Sequence, residues 1–125
     1  MIGIGLAGDV MLGRLVDHCI LADPELDPAC IYRDRPILYS TGDFVDDYAV
    51  DPDERNDLSC FFEVIADLPR VVRIILHPVR IGGCRVSIAS GADAEWMKRW
   101  VVPRAAVLGT TLRPDGNDLV AEISA

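Results

Sequence analysis

The second half of the chain is a run of strand-length apolar segments separated by very short turn signals, and this limits the fold more than any other feature of the sequence. Residues 58–66 and 70–77 are joined by Asp67-Leu68-Pro69, a hairpin connection. Residues 79–81 and 84–89 flank Gly82-Gly83, a second hairpin signal. Connections this short join antiparallel neighbours, so the region reads as antiparallel sheet, with His77 and Pro78 at the end of a strand. Ser90-Gly91-Ala92-Asp93 has the S-x-x-D form of a capping box and opens a helix. Trp96 and Trp100, at i and i+4, are expected to share the buried face of that helix. Pro103 is expected to kink or restart it, and Gly109 to close it. Leu112 and residues 119–123 flank Pro114-Asp115-Gly116-Asn117, which makes a small terminal hairpin.

The first half reads differently. Residues 2–8, IGIGLAG, form a buried strand whose glycines permit close backbone approach, and Gly8-Asp9 ends it. Residues 11–21 read as a helix with Leu12, Leu15, Val16 and Cys19 on one face. Asp23-Pro24 and Asp27-Pro28 punctuate the chain after it. Residues 37–41, ILYST, form a second short strand after Arg35-Pro36, ended by Gly42-Asp43. The two strands can lie parallel if the helix is a right-handed crossover. The expected class is α+β, derived from an α/β pattern: a partial sheet with antiparallel strands and two main helices. Strand edges left open in such a sheet would be covered by a homodimer.

At 125 residues, with 50% apolar and 26% charged side chains, the sequence is one globular domain. Its longest apolar runs fall far short of the ~20 residues of a membrane span. Twenty acids against twelve bases give a formal charge of −8, which repels nucleic acid and anionic membrane. Lys98 is the only lysine, and the arginine bias fits a GC-rich genome, while the acidity suits a salty cytoplasm. Asp43, Asp46, Asp47, Asp51, Asp53, Glu54 and Asp57 crowd one loop, against the single base Arg55. This loop is either a solvated surface or a cation-facing, function-bearing segment. Cys19, Cys30, Cys60 and Cys84 form no C-x-x-C pair, and buried free thiols are expected at Cys60 and Cys84. The N-terminus has no basic n-region and runs straight into a strand, so a cytoplasmic protein is expected.

The residues with most chemical content follow the first strand. Asp9 can coordinate a metal and Arg14 can pair with phosphate or carboxylate, or Asp9 simply caps the next helix. Gly42-Asp43-Phe44 repeats the arrangement, with the same two readings. His18 reads as a surface or helix-face residue and His77 as a strand-end residue. There is no nucleophile elbow, no P-loop and no G-x-G-x-x-G.

Taken together, GDVMLGRLVD near the N-terminus and RPILYSTGDFVDDY further on resemble the CapA family, the poly-γ-glutamate capsule biosynthesis proteins related to calcineurin-like metallophosphoesterases. The matching positions are Asp9 and Arg14, then Arg35, Pro36, Ile37, Leu38, Tyr39, Gly42, Asp43, Phe44, Asp47 and Tyr48. The resemblance implies a metallophosphoesterase-like sheet and a Mn/Mg-type divalent metal. It makes Asp9 and Asp43 metal ligands and Arg14 the anion contact, with Asp46 and Asp47 in the acidic loop beside them. The implied partner is an anionic polymer or phosphate ester. The family's Asn-Leu-Glu, Asn-Asn-His and Gly-His-x-x-His motifs are missing. The chain therefore reads as a single truncated CapA-like domain, 1–125, with segments 1–28 and 31–125. A dinuclear centre needs more ligands than remain, so an impaired or silent phosphoesterase is expected. The alternatives are a non-enzymatic module that binds a protein through the acidic loop or the Trp96/Trp100 surface, and a non-functional deletion remnant.

Overall fold

The structure, a computed structural model, describes residues 1–6, 31–32, 35–36, 49–107 and 109–123. Among them the architecture is α+β: a six-stranded antiparallel sheet with one helix packed on it. The expected helix at 11–21 and strand at 37–41 lie outside the described residues, and with them the expected parallel pairing.

The strands are β1 (Ile2–Leu6), β4 (Leu58–Asp67), β5 (Arg70–Gly82), β6 (Arg85–Ile88), β7 (Arg113–Asp115) and β8 (Asp118–Glu122). The order across the sheet is β1-β4-β5-β8-β7, and β6 pairs with β5 on the same edge as β8. Two short strands, β2 (Ile31–Tyr32) and β3 (Arg35–Pro36), form a separate pair. The long strand β5 is the spine. Its first half carries β8 through Arg73–Leu76 and its second half carries β6 through Val79–Gly82.

Pro78 does not end β5 as expected. Its carbonyl accepts the Ala89 N–H at 2.8 Å. Its ring nitrogen therefore points to that same edge, away from β4. There β8 has already ended its pairing and β6 has just begun. The missing N–H removes no ladder bond with β4, and the strand continues. His77 is accordingly a mid-strand residue.

The two faces of the sheet differ. One buries Leu58, Cys60, Val64, Ile74, Leu76, Leu119 and Ala121 against Ala89, Met97 and Leu112. This is the core, and α1 (Ala92–Val107) covers it with Ala94 and Met97. The helix opens at the expected place and runs through Pro103 without a restart. It closes as expected at Gly109, whose φ is +79°. Thr110 N–H bonds to Ala105 O at 2.9 Å and Gly109 N–H to Ala106 O at 3.1 Å, which is a Schellman motif. Trp96 packs half-buried at the core margin, but Trp100 is 43% exposed, so the two indoles do not share a buried face. They stack instead, 5.9 Å apart, with the Arg104 guanidinium 3.9 Å above Trp100.

The glycines of β1 do what the sequence suggests. A Cβ at Gly5 would stand 2.5 Å from the Phe61 ring, and one at Gly3 would stand 3.3 Å from Glu63 Oε1. Their absence lets β4 lay both side chains over β1.

Candidate functional site

The residues named in advance as a site, Asp9, Arg14, Asp43, Asp46 and Asp47, all lie outside the described residues. What the structure does describe is two polar constellations on the sheet, neither of them foreseen.

The first lies on the face away from the helix. In β4 and β5 the ladder starts at the turn with Asp67 opposite Arg70 and Ala66 opposite Val71. A bulge then shifts the register, so that Ile65 faces Arg73. The shift moves every later β5 side chain to the other face. Without it His77 would pair with Cys60 and enter the core. With it His77 pairs with Phe61, the two rings 5.9 Å apart, on the face that carries Glu63. His77 Nε2 lies 3.1 Å from Glu63 Oε2, and Nδ1 lies 3.0 Å from Asp118 Oδ1 on β8. Further along the same face Arg73 and Arg113 both reach Glu122 Oε1, at 2.9 and 3.3 Å. Period-two alternation in the sequence could have flagged Glu63 as a polar residue within a strand, but not the bulge that brings His77 to it.

The second constellation joins the acidic loop to the start of α1. Arg55 donates Nε to Asp57 Oδ1 at 2.7 Å and Nη2 to Asp57 Oδ2 at 3.0 Å, a bidentate pair. The same Nη2 reaches Asp93 Oδ1 at 2.8 Å, and Arg80 Nη1 reaches Asp93 Oδ2 at 3.0 Å. The Arg55 hydrogen bonds hold both Asp57 and Asp93 below the ordinary carboxylate range, against the desolvation that opposes them. The same bonds, first to Asp57 and then to Asp93, push the Arg55 guanidinium up. Asp93 is thus held by two arginines, a role the capping-box pattern did not indicate.

The described part of the acidic loop is shaped by its own backbone. Asp51 Oδ1 accepts the N–H groups of Asp53 and Glu54, at 2.8 and 3.1 Å, which lowers its carboxyl. Asn56 Oδ1 accepts the Asp51 N–H, and Asn56 Nδ2 donates to Ala49 O. Asp51 therefore shapes the backbone of the loop, while Asp57 faces the Arg55 guanidinium.

The described residues do not fit a divalent-metal centre. Among them no group of three or more His, Cys, Asp and Glu side chains is placed to hold a metal ion. Glu63 and Asp118 approach opposite nitrogens of one imidazole, so they do not converge on a common point. Cys60 is buried, and burial pushes its thiol up to about 12; Cys84, expected to be buried, is exposed. Among the described residues no helix is long and apolar enough to cross a membrane.

No family model matches the chain. It is similar to two proteins of Mycobacterium tuberculosis, from strains CDC 1551/Oshkosh and H37Rv, each named as a probable polyglutamine synthesis accessory protein. Each is 32% identical over 95 residues, an alignment that takes in 70% of this chain and 25% of the relative. The match thus spans about a quarter of the length of these relatives.

Proposed function

We propose that this chain acts in the synthesis of a polyamino acid or capsule-type polymer, as a CapA-like protein of metallophosphoesterase-related ancestry that does not itself hydrolyse phosphate esters. The observation that supports this reading is the similarity, over 70% of the chain, to proteins named as polyglutamine synthesis accessory proteins. Under this reading the described sheet is scaffold. β1 is tied to β4 along its whole length, Ile2 opposite Ala66 through Leu6 opposite Phe62. Asp9 follows shortly after in the sequence, with Arg14 beyond it as the anion contact. Asp9 and Asp43 would hold a single hard cation weakly, through oxygen ligands and water, with Asp46 and Asp47 lending negative charge. The partner is an anionic polymer or a phosphate ester.

A melting titration tests the site. Millimolar Mn²⁺ or Mg²⁺ is expected to raise the melting temperature, because a ligand that binds only the folded state stabilises it, and Asp9→Ala is expected to abolish the rise. No rise at millimolar metal removes the cation from the proposal. Turnover of a chromogenic phosphodiester overturns the non-hydrolytic reading. One observation favours the alternative of a protein-binding module: the exposed Trp100 with Arg104 stacked on it. A partner that copurifies with the wild-type chain and is lost with Trp100→Ala would decide for that alternative.

A further inference from the structure

The chain has two tryptophans, and both lie on α1. Trp96, Trp100 and Arg104 follow one another at i, i+4 and i+8, so they form one row along the helix. The indoles stack 5.9 Å apart at 16°. The Arg104 guanidinium lies 3.9 Å over the Trp100 ring and donates Nη1 to Trp100 O at 2.9 Å. At the other end Arg55 lies 5.8 Å from the Trp96 ring and is itself held by Asp57 and Asp93. The row is thus fixed at both ends, yet Trp100 is 43% exposed and Val107, further along the helix, is 85% exposed. Arg99 and Pro103 are exposed on the same outward arc, which spans about 140° around the helix and ends at Arg104. We propose that this arc of α1, with Trp100 and Val107 between Arg99 and Arg104, is a docking face for a short acidic segment of a partner protein that carries an apolar anchor.

The charges select the partner. Both acids of α1 are engaged: Asp93 by Arg55 and Arg80, and Glu95 by Lys98. No acid lies on the arc itself. Among the described residues no carboxylate is in salt-bridge contact with Arg99 or Arg104; Arg99 acts on Glu95 only at longer range. A guanidinium lying over an indole keeps its N–H groups directed outward in its own plane, so the stack leaves Arg104 donors for a carboxylate. Tryptophan and arginine are the side chains that most often dominate a protein interface. Here they are already ordered, which lowers the entropy cost of binding. The chain as a whole is acidic, but at physiological salt charges act over only about 8 Å, so the local cations decide. A long polyanion that followed the row would approach Asp53 and Glu54, exposed on the loop that carries Arg55. A short acidic segment avoids them. Docking of this kind rests on the protein-binding alternative above and involves none of Asp9, Arg14 or Asp43.

Calorimetric titration of the full chain tests it with three probes: short synthetic peptides with Leu or Phe flanked by Asp and Glu, the same peptides with Lys in place of the acids, and poly-glutamate. The acidic peptides are expected to bind saturably, to change the emission of Trp96 and Trp100, and to bind more weakly as NaCl rises. Arg99→Gln is expected to weaken binding roughly two- to fivefold, and Trp100→Ala by about thirtyfold or more. Arg113→Gln, on the other face of the sheet, is expected to bind like the wild type. Arg99 is exposed and outside the stack, so its variant decides the matter even if Trp100→Ala does not fold. Equal or tighter binding of the Lys peptides overturns the acidic chemistry and leaves the protein-binding reading standing. Poly-glutamate binding as tightly as the acidic peptides, with the same loss in Arg99→Gln, overturns the apolar anchor in favour of a polyanion face. Binding that neither Arg99→Gln nor Trp100→Ala changes places the site elsewhere and overturns the proposal, and so does the absence of binding by both peptide sets.

Discussion

Gly83 and Cys84 both take positive φ, +59° and +55°, and together they form the two-residue loop between β5 and β6. Positive φ at both central positions defines a type I′ turn, the geometry that matches the twist of a hairpin. Gly83 adopts it freely. Cys84 does not, because its Cβ crowds the following carbonyl, at a cost of roughly 1–2 kcal/mol. Cys84→Gly should relieve that cost and lose about 0.5–1 kcal/mol to the greater freedom of the unfolded chain. The expected result is a net gain of about 0.5–1 kcal/mol in urea unfolding; a loss of stability would show that the thiol makes a contact worth more than the strain. The sequence pattern placed this turn one residue early, at Gly82-Gly83. Gly82 in fact pairs with Arg85, because a hairpin turn is fixed by the pairing on either side of it and not by the densest glycines.

At the scale of elements, the loop before β4 is locked to α1 by charge. Asp57 is buried, and its two oxygens are taken by Arg55, with Arg80 Nε 3.6 Å away. Removing one partner of a buried pair costs about 3–5 kcal/mol. Here the loss is smaller, because Arg55 keeps Asp93 and is itself partly exposed. Asp57→Asn should therefore cost about 1–3 kcal/mol at neutral pH. The folded state holds the Asp57 carboxyl below its ordinary value, so its contribution is present above the unfolded range near 3.9 and is lost as pH falls through the lower, folded value. The gap between wild type and Asp57→Asn is thus expected to close on acidification below about pH 4. A gap that stays constant down to pH 3 would mean that shape, not charge, holds the loop. The elements themselves were largely legible: β1, β4, the β7–β8 hairpin and the ends of α1 follow from alternation, turn residues and Gly109. The side-chain partnerships were not. The bulge past Ile65 decides which face His77 takes, and the pairing of Arg55 with Asp93 spans 38 positions. Both depend on how strands settle against one another in three dimensions, which no local spacing records. The named site at Asp9, Arg14 and Asp43 was read from two Gly-Asp turns after strands and from a motif resemblance, and all three positions lie outside the described residues.

For the whole molecule the governing quantity is the formal charge of −8. Mutual repulsion among unpaired acids favours expansion, and salt screens it over a Debye length of ~10 Å at 0.1 M. Salt also weakens ion pairs, so the two effects must be weighed. The exposed pairs Arg73–Glu122, Arg113–Glu122 and Lys98–Glu95 sit in high-dielectric surroundings, contribute little and have little to lose. The Arg55–Asp57 pair is shielded by burial and is screened much less. The excess of acids has no such protection: Asp53, Glu54, Asp67 and Asp115 are all exposed on the described surface. Screening the repulsion should therefore win. Raising NaCl from about 20 mM to about 0.5 M at pH 7 is expected to raise the melting temperature by a few degrees, with most of the rise below about 0.2 M, where the Debye length shrinks fastest. The steepness separates charge screening from general salt exclusion, which grows steadily with concentration. A melting temperature that falls over the first 0.1 M would mean that the arginine pairs, and not the surplus of carboxylates, dominate the electrostatics of the fold.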